Sequence, residues 1–251
     1  MNERAPLPET LSRPPRGRVL FFAPHADDDV IGCGGTLAMH VAQGDPVRVV
    51  IAFDGRRGDP EERHDPRAYV ARRRAEALRA GGLLGLSDYV FWGYPEGHEP
   101  SPAELLDAAR RVAAAVREFA PETVYAPWVG ENHVDHHVLA RGVRLGLALA
   151  RHAGEAWGYE VWTPLVPTRI VDVSQVHARK RAALCEHVSQ LEEIEGFLEK
   201  ALAISAQRAM YLAPEARHGE AFRPLGAPTG EDAELSYGVS HFPPPAAGGG
   251  K

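Results

Sequence analysis

Cysteine is nearly absent. Cys33 and Cys185 are the only two in 251 residues, too few for a disulfide framework or a thiolate-built structural zinc site. Long apolar runs are missing as well. No segment approaches the ~18–20 apolar residues of a membrane span, and the opening stretch MNERAPLPETLSRPPRGR lacks the apolar core of a signal peptide. The expectation is a soluble, cytoplasmic protein without a membrane partner. Basic excess is also lacking: 28 Lys and Arg stand against 34 Asp and Glu, for a net charge of −6. That argues against a nucleic-acid partner, because neutralising phosphates needs a basic face. What the chain does have is histidine, 12 in all. A transition-metal site here must be made of imidazole nitrogen and carboxylate oxygen.

A hydrophobic fraction of 44% excludes a disordered or collagen-like chain, and the length suits one large α/β domain. Residues 1–17, polar and Pro-rich, read as an extended N-terminal arm. Residues 18–241 read as a single domain, and 242–251 (FPPPAAGGGK) as a flexible tail. Between the ends, apolar runs alternate with helical patterns. Strands are expected at 18–23, 46–53, 88–92, 122–126, 157–162 and 169–173. Helices are expected at 34–43, 66–84, 102–119, 132–152 and 175–206, the last with a break at Gly196. Leu105, Ala109, Val112, Val116 and Phe119 form one apolar stripe at helical spacing. This alternation predicts a mostly parallel sheet with helices on both faces. Such sheets bind ligands beyond the carboxyl ends of their strands, so the residues that follow Ala23, Phe53, Trp92 and Ala126 carry most interest.

Two polar clusters lie there. The first, His25-Ala26-Asp27-Asp28-Asp29, crowds three carboxylates that repel one another and are costly to desolvate. A divalent cation would remove the conflict. The second, Glu131-Asn132-His133-Val134-Asp135-His136-His137, opens a helix with Asn132 as the expected N-cap and Asp135 in the first turn. His133 and His136 share one face of that helix, whereas His137 points away. Together the clusters can supply a carboxylate and two imidazoles and still leave positions open for water and substrate, as in a catalytic zinc site.

APHADDDVIGCGGTLA resembles the first signature of the PIG-L/LmbE-like zinc-dependent N-deacetylases, His-Pro-Asp-Asp-Glu before a Gly-rich helix start. NHVDHHVLA resembles that family's second motif, His-Pro-Asp-His. Weaker echoes (RRAEALRAGGLLGL, FWGYPEG, YEVWTPL, KRAALCEHVSQ, GEAF) extend the likeness over Val19 to Phe222. The resemblance implies a Rossmann-like three-layer α/β sandwich. It also implies hydrolysis of an N-acetyl group from an N-acetylglucosamine-type conjugate, releasing acetate and a free amine. Carried over by position, His25, Asp28 and His136 would hold Zn2+ or another divalent metal such as Fe2+. Asp27 would be the general base toward water. His133 would stabilise the oxyanion or protonate the leaving amine, Asp135 would orient His133, and Arg73 would contact the sugar. A homo-oligomer is a family-level expectation. Ala26 and Val134 stand where the family usually has Pro, Asp29 where it has Glu, and Glu96 where it has Asp.

Two other readings compete. His25-Ala-Asp27 with a distant histidine would also suit a non-haem iron enzyme, although the alternating pattern argues against its usual scaffold. The Gly32-Cys33-Gly34-Gly35 stretch, read as a helix start, would suit a non-catalytic nucleotide- or sugar-binding module. Trp128 is expected either to stack on a sugar or to cover the core. Arg56, Arg57 and Arg63 either meet an anionic substrate group or are solvated. His40, His64, His98, His152 and His177 belong to no evident constellation.

Overall fold

The computed structural model describes residues 6–226; the expected tail at 242–251 and the end of the expected domain at 227–241 lie outside the described residues. In chain order the elements are β1 (Glu9–Leu11), β2 (Val19–Ala23), α1 (Asp28–Ala42), β3 (Val47–Phe53), α2 (Pro66–Leu84), β4 (Asp88–Tyr94), α3 (Pro102–Phe119), β5 (Thr123–Pro127), α4 (Val134–Ala150), β6 (Glu155–Tyr159), β7 (Arg169–Asp172), α5 (His177–Leu184), α6 (Val188–Glu193), α7 (Phe197–Arg208) and β8 (Gly219–Pro224).

The strands form one eight-stranded sheet in the order β1-β7-β8-β6-β5-β2-β3-β4. Every neighbouring pair is parallel except the two made by β8. Side chains alternate across β2. Val19, Phe21 and Ala23 join a core with α1, α2, α5 and α7, whereas Leu20 and Phe22 join a second core with α3 and α4. This is the expected three-layer sandwich. Because β2 has β3 on one side and β5 on the other, the direction of winding reverses between β2 and β5. A crevice opens at such a switch point beyond the carboxyl ends. The two polar clusters follow directly on those two strands.

Well-capped helices match the sequence expectation. α2 starts at Pro66 behind Asp65, whose side chain accepts from the Ala68 amide, and stops at Gly85 with φ 86°. α3 starts at Pro102 behind a full capping box of Ser101 and Glu104. The departures have physical causes. α1 begins at Asp28, six residues before the expected start, because its glycines are packing residues and not a loop. A side chain on Gly32 would strike the Tyr159 ring, and one on Gly35 would strike Val173. The amides of Gly35 and Thr36 already donate to the Glu220 carboxylate at 2.8 and 2.7 Å. The nucleotide-binding reading of this stretch is thereby corrected: the anion on these amides is the chain's own. Asn132 is not the N-cap of α4. His133 takes that position, its Nδ1 accepting from the Asp135 amide at 3.2 Å, while the Asn132 amide donates to Thr163 Oγ1. The expected 175–206 helix is three helices, with a break at Gly196, where φ is 66°. Residues 9–11 of the expected arm form β1 at the sheet edge.

Candidate metal centre

At the switch point, His25 leaves β2 and Asp28 opens α1, while Asp135 and His136 lie in the first turn of α4. The Asp28 carboxylate stands between two imidazoles: its Oδ2 is 3.1 Å from His25 Nδ1 and 3.2 Å from His136 Nε2. The ligand atoms of these three buried residues lie within 4.8 Å of one another. The far nitrogen of each imidazole meets further carboxylates. His25 Nε2 is 3.0 Å from Glu96 Oε1 and 3.2 Å from Asp135 Oδ2. His136 Nδ1 is 3.5 Å from Glu131 Oε2. Those carboxylates are themselves held: Gly97 N–H donates to Asp135, Arg57 N–H to Glu96, and the amides of Val161, Trp162 and Thr163 to Glu131.

Asp27, Asp28 and Asp29 part company in space. Asp27 turns to Arg73, whose Nη2 donates to Oδ1 at 3.1 Å while Nη1 donates to the Gly55 carbonyl. Asp28 faces the imidazoles. Asp29 turns away and accepts from the Tyr89 hydroxyl at 2.7 Å, so the sequence picture of three carboxylates around one ion is corrected to two near the site and one beneath it. Burial pushes Asp29 up to about 7 against the lowering effect of Tyr89. The like-charge conflict is thus relieved partly by geometry and partly by a proton. Arg73 is buried, and its ion-pair partner is Asp27.

Burial alone would lower His25, but Asp135, Asp28 and Glu96 hold it well above the usual histidine value. Burial likewise opposes protonation of His136, yet Asp28 and Glu131 raise it to about 9. Asp28 is held well below the carboxylate range, against burial, by His136 and His25. His133 goes the other way. Burial and the charges on His25 and His136 push it down to about 4. It is therefore neutral, and since its Nδ1 accepts from the Asp135 amide, the proton is on Nε2. His133 is thus a neutral imidazole that can still donate a hydrogen bond from Nε2.

The donor set fits a divalent cation. Both ring nitrogens of His136 are buried and neither makes an aligned hydrogen bond, although Asp28 and Glu131 are within reach. Buried polar atoms are nearly always paired, and an imidazole held between one shared carboxylate and one outer carboxylate is the usual environment of a metal-ligating histidine. His25 has the same arrangement.

A cavity of about 530 Å³ opens on the cluster, lined by His25, Asp27, Asp28, Arg73, Glu96 and His133, and also by Trp162, Gln190 and Lys200. Sequence reasoning missed Trp162 and the roles of Glu131 and Glu96. Glu131 adjoins the second motif, and Glu96 was visible only as a departure from the family pattern. Trp128 does not line this cavity; its Nε1 donates to the Thr163 carbonyl, which makes it a core cover. Arg56 pairs with Asp54 and Arg63 with Glu193. Across the Pro95–His98 turn lies a second, mostly apolar cavity of about 450 Å³ that includes Trp92, Leu105 and Val138.

The described residues contain no helix long and apolar enough to cross a membrane. Among curated proteins, the chain is similar to a 1D-myo-inositol 2-acetamido-2-deoxy-alpha-D-glucopyranoside deacetylase of Kineococcus radiotolerans, 33% identical over 61% of this chain and 54% of that one. It spans about half the length of the first curated relatives it matches. Among solved structures it is similar to N,N'-diacetylchitobiose deacetylase from Pyrococcus horikoshii, with TM-score 0.67, 25% identity and 82% of each chain covered. GalB, the 4-carboxy-2-hydroxymuconate hydratase of Pseudomonas putida KT2440, shares the fold with TM-score 0.69 at 20% identity, over 84% of this chain and 98% of that one; at that identity the likeness speaks to fold alone. The family model described as PIG-L, GlcNAc-PI de-N-acetylase, matches residues 20–145, half of the chain and both polar clusters, and the chain belongs to that family.

Proposed function

We propose that the protein is a zinc-dependent N-deacetylase that hydrolyses the acetamide of an N-acetylglucosamine-type conjugate to acetate and a free amine. The observation that carries this reading is the buried His25–Asp28–His136 group, with a carboxylate behind each imidazole, at the switch-point cavity. His25, Asp28 and His136 would hold the ion. When bound, a divalent ion of this kind polarises a carbonyl and acidifies water toward neutral pH.

The chain's own residues supply the rest. Asp27 accepts a proton from the attacking water, and Arg73 fixes its carboxylate through Oδ1, leaving Oδ2 for that proton. Arg73 thus acts on the base, and its place on the cavity wall also lets it meet the sugar. Neutral His133 donates a hydrogen bond from Nε2 to the oxygen that gains charge, and Asp27 returns to the departing amine the proton it took from water. Asp135 holds that tautomer through its backbone amide, and its carboxylate braces His25. Trp162, 37% exposed on the cavity rim, offers a flat face to a sugar ring.

The likeness to the inositol-conjugate and chitobiose deacetylases supports an amino-sugar substrate. The test is a panel of N-acetylated amino-sugar conjugates scored for acetate and free amine with metal-loaded protein. Release of both in equal amounts is expected, and a loaded protein that releases neither across the panel overturns the reading.

A further inference from the structure

A second group of potential metal-binding side chains lies outside the switch point. Asp59 follows the turn after β3, His64 lies five residues on, and Glu193 ends α6; their ligand atoms lie within 4.8 Å of one another. Asp59 Oδ2 accepts from the His64 amide at 2.8 Å and is 3.0 Å from His64 Nδ1. Asp59 Oδ1 is buried and, among the described residues, has no hydrogen-bond partner, although the residue is only 5% exposed. The Glu193 side chain is 7% exposed. Among the described residues, Arg63 is the one Arg or Lys that pairs with these two carboxylates beside His64; it pairs with Glu193 but stays 3.9 Å from Asp59 Oδ1 and 3.7 Å from exposed Glu61. Arg63 is itself half exposed, a long chain spread over three carboxylates. One positive charge facing two buried negative ones leaves a deficit that a divalent ion would fill.

We infer that Asp59, His64 and Glu193 form a second divalent-ion site, for which Arg63 is the stand-in when no ion is present. One imidazole and two carboxylates suit a first-row transition ion of the zinc or manganese class. The site borders the cavity: Gly58 and Ile194, which line it, are chain neighbours of Asp59 and Glu193. Already the Tyr69 hydroxyl donates to the Gly58 carbonyl and accepts from Gln190 on α6. An ion on Asp59 and Glu193 replaces this neutral link between the loop and α6 with a charged one, and so fixes one edge of the cavity mouth. The inference stands apart from the proposed deacetylation, since it uses none of the residues assigned there.

The test is Zn2+ equilibrium dialysis on wild type, His64→Ala and Asp28→Asn, with anomalous diffraction to place the ions. His64 is partly exposed, so its loss leaves the fold intact. Wild type is expected to bind two ions per chain. His64→Ala should weaken one of them by more than the ~10–100-fold that loss of an outer-shell partner costs, and Asp28→Asn should keep that ion and lose the other. Arg63→Gln should tighten the His64-dependent ion. A wild type that saturates with one ion at the switch point overturns this inference and leaves the deacetylase reading standing. An Asp28→Asn protein that loses no ion does the reverse. An Arg63→Gln protein whose second ion is unchanged or weaker overturns the exchange with Arg63.

Discussion

Two buried ionic clusters flank α1, and they are built on opposite plans. In one, Lys180 donates to the Ile31 carbonyl and to Glu220, both at 2.7 Å, and Glu220 also takes the Gly35 and Thr36 amides. Beside it, Arg208 makes a two-pronged pair with Glu160 and donates to the Leu165 carbonyl, while the Leu165 amide donates back to Glu160. These charges have found partners for their main donors and acceptors within the chain. The switch-point cluster is the reverse: His136 lacks an aligned partner at either nitrogen, and the acidic groups around the two imidazoles outnumber them. Buried charge therefore does not by itself mark a functional site. The difference is whether the chain closes the network or leaves it converging on a point that a ligand can fill.

The largest expected effect is at that point. Asp28→Ala should abolish ion binding at the switch point and lower acetate release by at least ~10³-fold, since water then keeps its bulk acidity; metal analysis beside a product assay checks both. Asp27→Asn should keep the ion and still lose roughly 10²–10⁴ in turnover, the usual worth of a general base. Full activity in that variant would remove Asp27 from the mechanism.

The closed cluster should behave otherwise. Glu220→Ala strands Lys180 in the core and should destabilise the fold by about 3–5 kcal/mol in denaturant unfolding, with ion affinity unchanged in the folded protein. A loss of the ion instead would erase the distinction between the two clusters. Glu131→Gln should lower ion affinity ~10–100-fold through its contact with His136, because the amide cannot match the carboxylate as a partner.

The last effect is with pH. In the ion-free protein His136 is raised to about 9, above its ordinary ~6.5. Its proton therefore stabilises the ion-free fold fully below pH ~6.5, and that contribution is lost as pH rises through about 9. The same proton competes with the metal, so Zn2+ affinity should climb over this window by up to about tenfold per pH unit, with proton release seen by calorimetry in buffers of different ionisation enthalpy.

Much of this was legible in the sequence where local chemistry decides the outcome. Pro66–Leu84 and Pro102–Phe119 came out as expected because proline, cap and apolar stripe all agree. The switch point could be placed because each motif follows a short apolar strand. What could not be read depends on contacts distant along the chain. The glycines of α1 look like a loop until Tyr159, Val173 and Glu220 are brought against them. Asp29 looks like a site residue until Tyr89 draws it away. Arg73 finds its partners, Asp27 and Gly55, only through the fold, and β8 pairs with strands remote from it in sequence.

The most direct measurement is the rate of acetate release from an N-acetylated amino-sugar conjugate before chelation, after chelation and after one equivalent of Zn2+ is restored. The account predicts that release is lost with the ion and returns with it in wild type, and that it does not return in Asp28→Ala. Undiminished release from protein shown to be free of metal would contradict it.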